Sequence, residues 1–285
     1  MPIQDDLSLR MKSYENKNKT YLKKKEPVII RIDGKAFHTF TKGFQRPFDE
    51  ILIKSMQETA KYLCENVENC VLSYQQSDEI SLLLVDYKTP ETGSWFDYRE
   101  QKVCSIAASM ATMAFNKYFY FYINEWYDTA NKEEFESYYK AYVTAVNKGA
   151  MFDARCFNLP QDEVTNYFYW RELDAIRNSI QMVGQANFSH KELQYKSCNY
   201  IKEMLLEKNI DFSTLPLYQQ RGSCCIKETY EHHGFEPCYD KELGKTGEIL
   251  CITERSRWII DTNVPLFKDN RNYIDQYVYV EQHEM

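Results

Sequence analysis

Two short acidic motifs carry the chemistry this sequence could perform. Asp33-Gly34 closes the apolar run Val28-Ile29-Ile30-Arg31-Ile32, and Ser77-Asp78-Glu79 joins the apolar runs that begin at Cys70 and Ile80. A β-branched run of that length reads as a buried strand, so the carboxylate at its end falls where a sheet opens to solvent. If residues 70–85 fold back as a hairpin, Asp78 sits at the turn and can face Asp33. Two carboxylates so placed can hold a pair of divalent cations about 3.5 to 4 Å apart, an arrangement that serves phosphoryl and nucleotidyl transfer. One ion lowers the pKa of an attacking hydroxyl and the other neutralises a leaving pyrophosphate. Hard oxygen ligands with no His or Cys cluster beside them point to magnesium rather than zinc. Gly34 fits the same picture, because a residue without a Cβ lets backbone atoms approach a metal-bound triphosphate. Neighbours on a strand point to opposite faces, so Asp78 is the expected ligand and Glu79 its supporting acid.

Each motif also has a plainer reading. Asp-Gly after a strand is commonly a turn, and Ser-Asp-Glu in a hairpin is commonly polar loop chemistry; on spacing alone the two readings stay level. The basic residues Lys42, Arg46, Arg99, Lys102 and Arg155 fall in loops or element ends that flank the expected cleft, as triphosphate binding requires. Singly, each reads as surface charge. His38, alone in an aromatic loop, reads as structural, and Tyr118-Phe119-Tyr120-Phe121-Tyr122 reads as core.

The elements that must position these residues follow from periodicity. Residues 7–22 have the spacing of a short amphipathic helix, packed on its apolar side, with a solvated basic face; seven basic residues stand against Glu15 between Arg10 and Lys25. A strand over 27–33 leads through an aromatic loop into a helix from Asp49 to Asn66, then the two strands around Asp78. After a turn-rich linker at 89–94, a helix over 98–122 carries Ala107, Ala108, Ala111 and Ala114, small enough to lie close on a sheet. A fourth strand lies within 148–160, closed by Pro160. The order strand, helix, strand, strand, helix, strand predicts an α+β fold with the ferredoxin-like (βαββαβ) arrangement of polymerase and cyclase palms. Helical patterns follow at 162–182 and 197–208, with a Ser-x-x-Glu capping box at Ser189. Strand-like runs at 223–226, 248–253 and 257–260 are broken by Gly244, Gly247 and Pro265. This divides the chain into a palm-like core with its N-terminal helix at 1–160 and, at 161–285, a helical and β-rich extension packed on it as one unit.

Composition sets outer bounds. The 285 residues are 44% hydrophobic and 27% charged, an ordinary globular mixture, and the net charge of −7 argues against a generally basic nucleic-acid coat. Nine scattered cysteines without zinc-site spacing or a signal-peptide pattern read as reduced thiols of an intracellular, cytoplasmic protein, most of them buried. No apolar segment approaches the roughly 20 residues of a membrane span.

Beyond spacing, the chain resembles a known family. Arg31-Ile32-Asp33-Gly34, the Phe37-His38-x-Phe40 loop running to Arg46-Pro47, and Gln76-Ser77-Asp78-Glu79 are similar to the signature of the tRNA-His guanylyltransferase superfamily, which adds nucleotides to RNA 5′ ends. Leu9-Arg10-Met11-Lys12-x-Tyr14-Glu15, Phe152-Asp153-Ala154-Arg155 and Trp170-Arg171-x-x-Asp174 match it in order and spacing, so the likeness spans about residues 7 to 225. The resemblance implies two magnesium ions, ATP and GTP as substrates, activation of a tRNA 5′ end and a homotetramer. Carried over, it implies Asp33, Asp78 and Glu79 as catalytic residues, with Asp33, Asp78 and the Gly34 carbonyl on the metal. Lys35, Phe37, His38, Arg46, Ser77, Lys102 and Arg155 would contact nucleotide; it names no tRNA-binding residue. Where the eukaryotic enzymes carry His-Ile-Asn-Asn, this chain has Ile176-Arg177-Asn178-Ser179. That departure resembles the guanylyltransferase-like branch, which repairs 5′-truncated tRNA by templated 3′-to-5′ addition. The alternatives are guanylate addition to tRNA-His or a catalytically inactive tRNA-binding protein.

Overall fold

The computed structural model describes residues 6–129, 132–240 and 245–279. Its centre is four antiparallel strands, β1 (Val28–Gly34), β2 (Cys70–Gln76), β3 (Glu79–Leu84) and β4 (Phe152–Asn158), lying in the order β4-β1-β3-β2. Between them run α3 (Glu50–Asn66), after α1 (Asp6–Asn16) and the short α2 (Phe37–Phe40), then α4 (Glu100–Thr129) and α5 (Lys132–Lys148). This is the α+β palm that the order of apolar runs predicts. Its start signals are local: the Asp49 side chain caps α3 by accepting from Leu52 N at 2.9 Å.

The strands alternate between two buried faces. Ile30 and Ile32, with Ile80, Leu82 and Leu84, point at α3 and α4 and pack with Phe37, Phe115 and Met56. Ile29 and Leu83 point the other way, where Tyr74, Phe168 and Phe267 close over them. Because both faces are covered, β1 reads as a continuous apolar run rather than an alternating one. The second face is covered by α6 (Val164–Asn187), followed by α7 (His190–Leu193), α8 (Cys198–Glu207) and α9 (Leu217–Arg221). The expected capping box is present, Ser189 and Glu192 bonding each other's backbone NH.

Several expectations change. Residues 7–22 do not form one packed helix: α1 ends at Asn16, no residue in it is buried, and Leu9, Met11 and Tyr14 are exposed. The lysines that follow are bound locally, Lys24 to Asp97 at 2.8 Å and Lys25 Nζ to the carbonyls of Asp86 and Thr92. Helix α4 extends to Thr129, and α5, unforeseen, delivers the buried Tyr142 hydroxyl to Asp49 Oδ2 at 2.7 Å. Within 118–122, Phe119 is core while Tyr120 and Phe121 are exposed. The expected short C-terminal strands are one long ribbon, β5 (Ser223–Asp240) and β6 (Lys245–Asp261). Only its base joins the palm, Ser223–Ile226 pairing with Gln75–Leu72 and completing the order β4-β1-β3-β2-β5-β6. Gly247 sits inside β6 opposite Cys238, and Gly244 lies outside the described residues. Helix α10 (Asn272–Val278) closes the second core. Cys64, Cys70, Cys104, Cys156, Cys198, Cys224 and Cys225 are free thiols, and among the described residues no helix is long and apolar enough to cross a membrane.

Candidate active site

Asp33 is the penultimate residue of β1, directly opposite Glu79 on β3 and Asp153 on β4. Cross-strand partners share a face, so three carboxylates crowd the α6 side of the sheet at its open end. Asp78 is the second residue of the two-residue turn joining β2 to β3. Ser77 before it has φ 50°, and its hydroxyl donates to Asp78 Oδ1 at 3.1 Å. The Gly34 NH donates to the Asp78 carbonyl at 3.1 Å and pins the end of β1 to this turn. Asp33 and Asp78 are thereby brought side by side, as the sequence predicts. Burial pushes the Asp78 carboxyl above its usual range, and the charges of Asp33 and Glu79 add to that push. A bound cation would reverse both effects, because it favours the ionised form. Among the described residues there is no group of three or more His, Cys, Asp or Glu arranged to hold a metal. Two carboxylates and a backbone oxygen form the sparse oxygen set that suits magnesium, which keeps waters and substrate phosphates as its other ligands.

Glu79 has a different place. It is 4% exposed, takes Arg171 Nε and Nη2 on its two oxygens at 2.7 and 2.8 Å, and receives Arg31 Nη2 at 2.7 Å. Burial raises its carboxyl, while Arg171 and then Arg31 pull it back down. Arg171 also reaches Asp174 Oδ2 at 2.9 Å, and its guanidinium lies 4.5 Å from the Trp170 ring. Glu79 thus anchors α6 to the sheet and leaves Asp33 and Asp78 as the groups open to a ligand. Arg155 Nη2 stands 3.9 Å from Asp33 Oδ2 and 3.4 Å from Asp153 Oδ1, half exposed above both.

The expected nucleotide contacts separate into two groups. Lys35, His38, Arg46 and Ser77 are exposed around the open end of the sheet, as is Lys42. Phe37 is buried, with its ring 5.1 Å from those of Phe40 and Phe152 and 5.5 Å from Phe115, so only its backbone can border a ligand. That packing also corrects the reason for Gly34: a Cβ there would stand 2.3 Å from the Phe37 ring, so the missing side chain makes room for Phe37 rather than for triphosphate. Lys102 and Arg99 are not brought to the others within the chain. β3 leaves the site at Glu79 and runs away to Leu84, so α4 starts at the far end, on the opposite face. There Lys102 Nζ lies 4.2 Å from the Phe96 ring, and Arg99 bridges to Tyr21.

Sequence reasoning missed Arg31 and left Arg171 without a role. Tyr167, Arg171, Asp174 and Asn178 fall on one helical face, and that spacing was the available signal. Tyr167 bonds Ser81 at 2.8 Å, and Asn178 lines a cavity of about 70 Å³ beside the turn together with Asp49, Gln76, Ser77 and Ser179. Asp49, buried there, also accepts from Gln45 N at 3.0 Å.

Fold and site together define a palm-type nucleotidyltransferase. The tRNAHis guanylyltransferase (Thg1) family model matches residues 8–160, and the chain belongs to that family. A tRNA(His) guanylyltransferase of Debaryomyces hansenii is 30% identical over 232 residues, 76% of this chain and 79% of that protein. A bacterial tRNA(His) guanylyltransferase-like protein solved with ATP superposes with a TM-score of 0.76 at 40% identity, covering 96% of this chain and all of that one. The GTP complex of a bacterial protein so described gives 0.73 at 37%, again covering 96% and all.

Proposed function

We propose that the protein is a template-dependent 3′-to-5′ nucleotidyltransferase that repairs the 5′ end of tRNA after ATP- or GTP-dependent activation of that end. The observation that carries the reading is the Asp33 and Asp78 pair at the open end of the palm, with Glu79 withdrawn onto Arg171 and Arg31. Asp33, Asp78 and the Gly34 carbonyl would hold two magnesium ions, which when bound lower the pKa of an attacking hydroxyl and neutralise pyrophosphate. Lys35, Arg46, Ser77, Arg155 and the backbone at Phe37 and His38 would position the triphosphate from the exposed rim. The nucleotides bound in the two bacterial relatives support ATP and GTP as substrates.

The departure at 176–179 favours repair over untemplated guanylate addition. Ile176 packs toward Ile180 and Val183 instead of offering an imidazole, while Ser179 Oγ is bonded to the Gln219 carbonyl at 2.7 Å. The protein would work as a cytoplasmic homotetramer. The deciding experiment incubates it with a tRNA lacking its first 5′ nucleotide, labelled nucleotides and magnesium, then maps the label. Incorporation at the 5′ end, complementary to the opposing base, is expected. Incorporation only internally or at the 3′ end, or only guanylate whatever the opposing base, would overturn the reading.

A further inference from the structure

The turn between α7 and α8 carries an aromatic ring in a conformation that its own surroundings do not explain. Tyr195 has φ 63° and is 95% exposed. A left-handed backbone at a bulky residue is strained and persists where something offsets it. Elsewhere the offset is visible: Tyr98 is buried, Phe96 packs 4.8 Å from Trp95, and Lys25 makes three hydrogen bonds through its NH and its ammonium. Tyr195 has no burial in return.

The turn is nonetheless tied down at both ends. The Lys196 NH donates to the Leu193 carbonyl at 3.1 Å, and Gln194 has φ −58° and ψ 128°, so residues 193–196 form a type II turn whose third position ordinarily takes Gly or Asn. Leu193 is anchored in the core with Ile180 and Ile201, and Ser197 caps α8 through Tyr200 N. The ring is therefore held outward on a fixed base. Lys191 and Lys196 are exposed on either side, with Lys196 Nζ 4.2 Å from the half-exposed Tyr200 ring. Among the described residues neither lysine makes an ion pair. The adjacent carboxylate, Glu192, is committed to Ser189 N and Oγ at 2.7 and 2.6 Å; Glu203 is exposed further along α8. Helix α6 links this turn to the site: from Asp174 to Asn187 it spans about 20 Å.

We propose that Tyr195, between Lys191 and Lys196, stacks on an unpaired base of the tRNA while the lysines meet the flanking phosphates. Exposed aromatic faces beside cations are how proteins take single-stranded nucleotides, each stack changing affinity by about five- to a hundredfold. The proposal rests on the reading of the protein as acting on tRNA and adds the surface that grips it away from the 5′ end.

The test exploits two opposite signs. Glycine relieves the left-handed backbone and removes the ring, so Tyr195→Gly is expected to keep or raise the melting temperature while weakening the binding of fluorescein-labelled tRNA about tenfold at fixed salt. Tyr195→Phe should bind as the wild type does, and a blunt RNA duplex should bind wild type and Tyr195→Gly equally. Wild-type affinity of Tyr195→Gly for tRNA overturns the proposal, as does an equal deficit on the blunt duplex. A loss of affinity that accompanies a change in sedimentation also overturns it, since the ring then belongs to a contact between subunits. Wild-type protein that binds tRNA through Tyr195 but adds no nucleotide would overturn the proposed function and leave this contact standing.

Discussion

Asp33→Ala or Asp78→Ala removes one of the two open carboxylates at the end of the sheet, while each side chain makes little of the fold. Nucleotide addition is expected to fall by at least about a hundredfold, with melting temperature and tRNA binding preserved, because what is lost is stabilisation of developing charge. Activity surviving in either variant would show that the ligands are misassigned. Arg171 behaves in the opposite way. It is buried against Glu79 and Asp174, so Arg171→Ala leaves the buried Glu79 with Arg31 as its remaining cation and should cost about 1.5–3 kcal/mol in urea unfolding. Unchanged stability would mean that the pair is not formed in solution. At this scale the sequence was readable where chemistry is local: a carboxylate ending an apolar run, and a second at a hairpin turn. It made Glu79 a supporting acid but could not say what holds it, because Arg171 lies 92 residues away on another element.

The elements position these groups through contacts that single substitutions can probe. Gly34→Ala would drive a Cβ into the Phe37 ring, which cannot retreat because Phe40, Phe115 and Phe152 surround it. The loop that follows must shift, and nucleotide affinity, measured by titration, is expected to drop at least tenfold with stability lowered by about 1–3 kcal/mol. Glu172 on α6 offers a test of pH dependence. It is fully buried, and that burial pushes its carboxyl up to about 7, against the opposing pull of the Phe267 NH at 3.0 Å and the Arg221 charge. The folded value lies above the 4.5 of the unfolded chain, so its favourable contribution is complete below pH 4.5 and is lost as pH rises through 7. Glu172→Gln keeps an acceptor for Phe267 and removes the titration. The variant should match the wild type near pH 4.5 and exceed it by up to about 3 kcal/mol at pH 8, read from urea midpoints. A constant difference across that range would show that Glu172 does not titrate there. The βαββαβ order was legible because apolar runs and a capping Asp49 are local signals. Helix α5 and the ribbon were not, since α5 mixes charge with aromatics and β5 is held to the palm only by its pairing with β2.

Across the whole molecule, two features stand out from the packed core of the described chain. Beyond Ile226 and Ile259 the ribbon pairs only with itself for more than a dozen residues, and an isolated two-stranded ribbon is marginally stable in water. On α4, Met113, Tyr120 and Phe121 are exposed, the first two seven residues apart and so on one stripe. Nothing in composition foretold either, because an interface residue and a core residue look alike in a sequence until the fold shows which side is covered. Large apolar side chains left exposed along one helix mark an association surface, which the proposed homotetramer would use. The double variant Tyr120→Glu, Phe121→Lys keeps the net charge and replaces two exposed side chains, giving up the contact of Phe121 with the Tyr122 ring at 5.2 Å. It should leave the melting of the chain within a few degrees of wild type while the proposed tetramer gives way to a smaller species in sedimentation. Lys102 and Arg99 lie on the α4 face of the sheet, where α4 begins, away from Asp33 and Asp78 of their own subunit. If α4 brings subunits together, dissociation removes the one route by which those cations can reach a triphosphate, and nucleotide addition should fall with the assembly. A variant that stays tetrameric, or one that dissociates and keeps full activity, would show that α4 does not bring subunits together or that the site is complete in one chain.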